Sequence, residues 1–231
     1  DYAAYLSASM ERHESLMTEH GMSWAPLETL YLGGGTPSVW GVEGAEFFAS
    51  IKARIPFSNN IEATFEVDPG AWDEATLKAW AELGINRYSV GTQSLDENFL
   101  KILDRAHDRD QTFKLLERLQ GENFSVDFLL GAPHSDTRKR NVLKELEELL
   151  KYRPSHVSLY ILNPSGGYSL KAQIPDDEWT AREYLEVSEY LRGRGFDHYE
   201  VSNFGLPGRH STHNLKYWLG ERVATLGSTG T

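Results

Sequence analysis

Short β-branched and apolar runs alternate with helical patterns along most of this chain. The runs are Thr29–Leu32, Ile61–Val67, Arg87–Gly91, Ser125–Leu130 and His156–Leu162. Between them, apolar residues recur at three- and four-residue intervals, the spacing of one helical face. Ala45–Ile55 carries Phe47, Phe48, Ile51 and Ile55, and Asp73–Leu83 carries Leu77, Trp80 and Leu83. Gln111–Leu119, Thr137–Lys151 and Asp176–Arg194 follow, and Asp1-Tyr2 opens a further helical pattern. Strand–helix alternation of this kind predicts right-handed βαβ units and a parallel sheet. The fold class is therefore α/β, and the number of strands suits a partial (β/α) barrel.

Side chains on a strand alternate between faces. One face reads Ile61, Ala63, Phe65, Val67; Tyr88, Val90; Val126, Phe128, Leu130; Val157, Leu159, Ile161. It is apolar and is expected to pack under the helices. The opposite face reads Glu62, Thr64, Glu66; Arg87, Ser89, Gly91, Gln93; Ser125, Asp127; His156, Ser158, Tyr160. A parallel sheet covered on both sides normally reads as continuous apolar runs. Polar and small residues on this face predict a lumen that holds a ligand.

Composition narrows the possibilities. The chain has 231 residues, within the range of one large domain, with 40% hydrophobic and 25% charged residues. A formal charge of -11 leaves no electrostatic footprint for nucleic acid or an anionic membrane. No apolar run is long enough to span a bilayer and no signal peptide is visible, so a cytoplasmic protein is expected. Cysteine is absent, which excludes disulfides and thiolate-ligated metal within these residues.

Three stretches carry candidate chemistry. "YLGGGTPS" ends an apolar run in Gly33, Gly34 and Gly35, closed by Thr36-Pro37. Bare peptide edges at the C-terminal end of a barrel strand can hydrogen-bond a ligand, and the alternative is a tight turn. No Gly-Lys-Ser/Thr follows, so the run is not a P-loop. Next, Glu66, Gln93 and Asp127 all point to the lumen by parity. Two carboxylates and an amide suit a ligand with an ammonium group and ribose hydroxyls, although a satisfied structural carboxylate fits the same pattern. Arg105, in "LDRAH", could pair a ligand carboxylate bidentately or serve as a surface ion-pair partner.

The third stretch is "HSTHNLKYW". If helical, it stacks His213 with Tyr217 at i,i+4 and sets Asn214 beside Trp218. An imidazole beside large aromatics could ligate haem iron. His198, Glu200, His210 and His213 also have the residue types of a metal site, as in a metal-dependent barrel hydrolase. A polar helix start with packing aromatics is the remaining reading.

Taken in order, "YLGGGTPS", "EVDP", "NRYSVGTQS", "LDRAHD", "VDFLLGAP", "PSHVSLYIL" and "HYEVSNF" resemble the oxygen-independent coproporphyrinogen III oxidase-like radical S-adenosylmethionine (SAM) proteins. "PGRHSTHNLKYW" is similar to the His-Asn-x-x-Tyr-Trp motif of the haem-chaperone branch, which the oxidase lacks. The resemblance runs over residues 1–218, a partial radical SAM barrel core, and leaves 219–231 as a poorly matched tail.

The resemblance implies a [4Fe–4S] cluster on a Cys-x-x-x-Cys-x-x-Cys loop, expected upstream of Asp1 together with a first barrel strand. It implies SAM at Gly33, Gly34 and Gly35, with Thr36 in the turn and Glu66, Gln93, Arg105 and Asp127 contacting the rest of the molecule. It implies haem at His213, as iron ligand, with Tyr217 and Trp218 alongside. Haem would pass to a membrane respiratory haem protein, which allows a peripheral membrane location. Residues 1–231 alone lack the cluster cysteines and are expected not to generate a radical. The alternative activity within the resemblance is oxidative decarboxylation of coproporphyrinogen III.

Overall fold

In the computed structural model the described residues are 2–164 and 167–227. Residues 228–231 of the poorly matched tail lie outside that range. The strands are β1 (Leu27–Leu32), β2 (Phe57–Val67), β3 (Arg87–Gln93), β4 (Phe124–Leu130), β5 (His156–Ile161), β6 (Asp197–His198) and β7 (Asn203–Gly205). The helices are α1 (Tyr2–Glu19), α2 (Gly41–Lys52), α3 (Glu74–Glu82), α4 (Glu97–Ile102), α5 (Arg109–Arg118), α6 (Val142–Leu149), α7 (Asp177–Gly193) and α8 (Thr212–Trp218). Contacts divide the chain into two compact units. Within them the strand orders are β1-β2 and β3-β4-β5-β7-β6.

Among the described residues the first unit comprises 2–66, 72–86 and 212–227. β1 and β2 are parallel, with Thr29 opposite Glu62 and Tyr31 opposite Thr64. Its core forms where the apolar faces of α2, α3 and β2 meet: the Trp80 ring lies 4.6 Å from Phe65 and 5.5 Å from Phe48. The indole N–H of Trp80 donates to the Gly41 carbonyl at 3.1 Å, so the one polar atom of that ring is satisfied. Asp73 starts α3 by accepting the Thr76 N–H at 2.7 Å.

The second unit comprises residues 67–71 and 87–211. β3, β4 and β5 run parallel, and β7 and then β6 add antiparallel at one side. The predicted apolar face is its core: Val90, Val126, Phe128, Leu130 and Val157 are fully buried under Leu115, Leu116, Leu146 and Leu149 from the helices. Ile161 departs from that pattern and is 49% exposed. On the polar face Arg87, Ser89, Ser125, Asp127, His156 and Ser158 are buried, whereas Tyr160, expected on the same face, is 42% exposed.

Caps explain where the helices begin. Asp108 and Gln111 form a reciprocal capping box at α5. Asn141 accepts the Lys144 N–H at 3.0 Å, so α6 starts at Val142 rather than Thr137. A 3-10 turn over Leu150–Tyr152 completes the predicted segment. One buried ion pair fixes the ends of β3 and β4. Arg140 donates to Glu145 at 2.8 Å, to the Leu129 carbonyl at 2.5 Å and to the Gln93 carbonyl at 3.2 Å. Glu145 in turn accepts from Ser94 Oγ and the Leu95 N–H, both at 2.6 Å. Among the described residues no helix is long and apolar enough to cross a membrane.

Candidate functional site

The three glycines after β1 differ in what each requires. A Cβ on Gly33 would lie 2.5 Å from Tyr31 Cε1 and 2.6 Å from the Glu66 carboxyl, so no side chain fits. Gly34 has φ +94°, a conformation that L side chains rarely adopt. Gly35 faces open space, with nothing within 4 Å of a Cβ. The protein's own packing therefore accounts for Gly33 and backbone geometry for Gly34. Gly35 is left as a bare peptide open to a ligand. Thr36, in extended geometry, leads into the short 3-10 turn that starts at Pro37.

Glu66 closes the same loop from β2. Its Oε1 accepts the Tyr31 hydroxyl at 2.7 Å and its Oε2 accepts the Gly34 N–H at 3.1 Å. Burial pushes its pKa up, and the two hydrogen bonds oppose that shift by favouring the carboxylate.

The imidazole of His213 also packs in this unit. Its ring stacks on Tyr31 with centroids 5.3 Å apart and meets Tyr217 edge-on at 5.4 Å, the predicted i,i+4 pair. Nδ1 lies 3.1 Å from Thr29 Oγ1. With Nδ1 protonated and donating to Thr29, the lone pair lies on Nε2, which has no protein partner among the described residues. Burial lowers the pKa of His213, Glu62 opposes that shift, and Lys216 adds to it. The neutral ring, the form that binds metals, is thereby favoured. The helix beneath is anchored by Glu62, whose carboxylate accepts the Thr212 and His213 N–H groups at 3.0 and 2.9 Å. Lys216 pairs with Glu28 at 2.7 Å and with Glu221. Beside the imidazole, Tyr217, Trp218 and Leu219 are 52%, 60% and 72% exposed, an unusual amount of apolar surface for one short segment.

Thr29, Tyr31 and Glu62 were not among the sequence candidates for the haem residues. Strand parity sets Thr29 and Tyr31 on one face of β1, but nothing in the sequence says that α8 returns to that face.

In the second unit, Gln93 ends β3 with φ +60°, a left-handed geometry uncommon outside glycine. Its amide nitrogen lies over Gly91, 3.5 Å from where a Cβ would be. Asp127 is buried and accepts the Ser89 hydroxyl at 2.9 Å, and Ser89 accepts from Ser125 at 3.0 Å. Arg105 is exposed after α4, its backbone N–H bonded to the Leu100 carbonyl.

The alternative metal set is not assembled. Among the described residues no group of three or more His, Asp or Glu could hold a metal ion. His198 stacks on Phe204 at 4.2 Å and bonds the Tyr184 hydroxyl at 3.0 Å. His210 stacks on Tyr199 at 4.4 Å and pairs with Asp197 at 3.1 Å, while Glu200 accepts the Ser202 N–H.

Residues 7–146 match the model of the radical SAM superfamily, and the chain belongs to that superfamily. It is 33% identical over 204 residues to the Heme chaperone HemW of Synechocystis, covering 84% of this chain and 49% of that protein. It is 36% identical over 203 residues to the bovine mitochondrial Radical S-adenosyl methionine domain-containing protein 1, covering 83% of this chain and 46% of that protein. The chain thus spans about half the length of the curated relatives it matches. Among solved structures, coproporphyrinogen III oxidase (HemN) from Escherichia coli, a radical SAM enzyme, superposes with a TM-score of 0.77 at 18% identity. That match covers 95% of this chain and 51% of the oxidase. The fold is the partial (β/α) barrel expected from the sequence.

Proposed function

We propose that these residues form the SAM-binding and haem-binding part of a haem chaperone of the radical SAM family, which passes haem to a recipient haem protein. The observation that carries this reading is the state of His213. Its ring stacks on Tyr31 and meets Tyr217 edge-on, its Nδ1 lies 3.1 Å from Thr29 Oγ1, and its Nε2 is unpartnered among the described residues. A ligating histidine commonly donates its other ring N–H to a protein acceptor, which fixes tautomer and orientation. Exposed Tyr217 and Trp218 supply apolar surface for the macrocycle. Exposure suits cargo that must leave again. The sequence similarity to HemW haem chaperones and the His-Asn-x-x-Tyr-Trp pattern support the same reading.

For SAM, the residues in the first unit fit one end of the ligand. The open peptide at Gly35 offers backbone hydrogen-bonding groups, and the Glu66 carboxylate offers an acceptor for an ammonium group. Thr36-Pro37 fixes the turn. Gln93, Arg105 and Asp127 are assigned to the remainder of SAM on the family resemblance. When bound to a cluster, SAM supplies a 5′-deoxyadenosyl radical in this family. These residues contain no cysteine and supply no thiolate for a [4Fe–4S] cluster. What they contribute is the binding edge and the haem ligand.

The oxidase alternative has less support. The structural match to coproporphyrinogen III oxidase at 18% identity speaks to fold alone, and the His213-Asn214 to Tyr217-Trp218 motif resembles the chaperone branch. Haemin titration tests the proposal. Wild-type protein is expected to develop a Soret band that His213→Ala weakens or shifts. An unchanged spectrum in the variant would move the ligand elsewhere.

A further inference from the structure

Between the glycine edge and His213 stands one side chain that touches both. Tyr31 donates its hydroxyl to Glu66 Oε1 at 2.7 Å, while its ring stacks on the His213 imidazole at 5.3 Å with an interplanar angle of 23°. The other Glu66 oxygen accepts the Gly34 N–H at 3.1 Å. All four residues belong to the same compact unit.

Tyr31 and Glu66 both lie against the Gly33 backbone: the position a Cβ would take there is within 2.6 Å of each. A displacement of the Glu66 carboxyl is therefore felt by the Tyr31 hydroxyl bonded to it. The imidazole also meets Tyr217 edge-on, with centroids 5.4 Å apart, and Nδ1 lies 3.1 Å from Thr29 Oγ1. A tilt of the Tyr31 ring is thus passed to the imidazole.

We propose that Tyr31 couples the two sites, so that a cationic amine arriving at the Gly33–Gly35 edge alters haem ligation at His213. The inference rests on the reading of that edge as a SAM site and of His213 as the haem ligand. An ammonium group is a stronger donor to a carboxylate than a phenol is. Its arrival at Glu66 weakens the Tyr31 bond and re-aims the ring. By linkage, haem at His213 changes the affinity for SAM by the same factor. Tyr31 acts here as a positioning residue, touching neither iron nor SAM in the proposed scheme.

Haemin titrations of the full chain, at zero and at saturating SAM, test this, with SAM binding followed separately by calorimetry. In wild type the haemin dissociation constant is expected to change about fivefold or more between the two conditions, the usual lower range of allosteric coupling. Tyr31→Phe keeps the ring and removes the hydroxyl. Its haemin spectrum is expected to stop responding to SAM. Tyr31→Leu, which removes the ring and the hydroxyl together, should lose the response as well while calorimetry still records SAM binding, and it serves should Tyr31→Phe fail to fold. If wild type binds both ligands and each is indifferent to the other, the coupling is overturned and the two sites stand. A SAM effect that survives in Tyr31→Phe at full size overturns the role of Tyr31. Failure of wild type to bind SAM or haemin overturns the functional reading, and the coupling with it.

Discussion

His213 Nδ1 lies 3.1 Å from Thr29 Oγ1, although 184 positions separate the two residues in the chain. With Nδ1–H donating to the Thr29 hydroxyl, Nε2 is the nitrogen left for a ligand. In the proposed account Thr29 fixes the tautomer, Tyr31 fixes the plane of the ring, and Glu62 fixes the helix end that carries it.

Thr29→Val keeps the shape of the side chain and removes the acceptor. Partners of ligating histidines typically contribute 10- to 100-fold to metal affinity. Haemin affinity is expected to fall about tenfold, with the fold intact by circular dichroism. An affinity equal to wild type would mean that the tautomer is set by something else.

The glycines separate packing from binding. Gly33→Ala forces a methyl group against Tyr31 and Glu66, and overpacking of this kind costs about 1–3 kcal/mol. Gly35→Ala meets nothing within 4 Å, so its stability should stay within about 0.5 kcal/mol of wild type. Urea denaturation of both variants checks this. In the proposed function Gly35→Ala should nonetheless weaken SAM binding, because the added methyl occupies the open edge.

Buried His156 makes stability depend on pH. It is 1% exposed, and burial, reinforced by Arg87 and His210, holds its pKa well below the ordinary imidazole value of about 6.5. Below that pH the unfolded chain takes up a proton that the folded chain refuses, so stability falls as pH falls, by up to about 1.4 kcal/mol per pH unit until the folded pKa is reached. The slope is expected to be shallower in His156→Gln. Comparing the two proteins cancels the other titrating groups. Equal slopes in the two proteins would contradict it.

Arg140 and Glu145 form a buried pair with nearly every polar atom engaged. Removing one partner leaves a buried charge uncompensated, a loss of about 3–5 kcal/mol. Glu145→Gln should therefore be strongly destabilised, and a double variant, Arg140→Met with Glu145→Leu, should recover part of that loss. Guanidinium unfolding of the three proteins measures both effects.

Much of this was legible in the sequence, and the exceptions have physical causes. β3, β4 and β5 were readable because their alternation is sharp, with an apolar face under the helices and a polar face opposite. β6 and β7 have only two and three residues, and α4 only six, too short for a period to show. His213 and Tyr217 could be paired because they are neighbours on one helix. Thr29, Tyr31 and Glu62 could not be joined to them, since those contacts depend on where α8 returns to β1 and β2. The glycine run reads as a bare peptide edge for a ligand, but at Gly33 the close neighbour is the protein itself, through Tyr31 and Glu66. Only Gly35 keeps the open edge that the run suggested.

The most direct test of the central claim is chemical rescue at His213. The visible spectrum of the haemin complex should be recorded for wild type and for His213→Gly, without and with added imidazole. The account predicts a weakened or displaced Soret band in the variant and a return toward the wild-type spectrum when imidazole fills the gap. A wild-type spectrum in His213→Gly without imidazole would contradict it and place the iron on another residue.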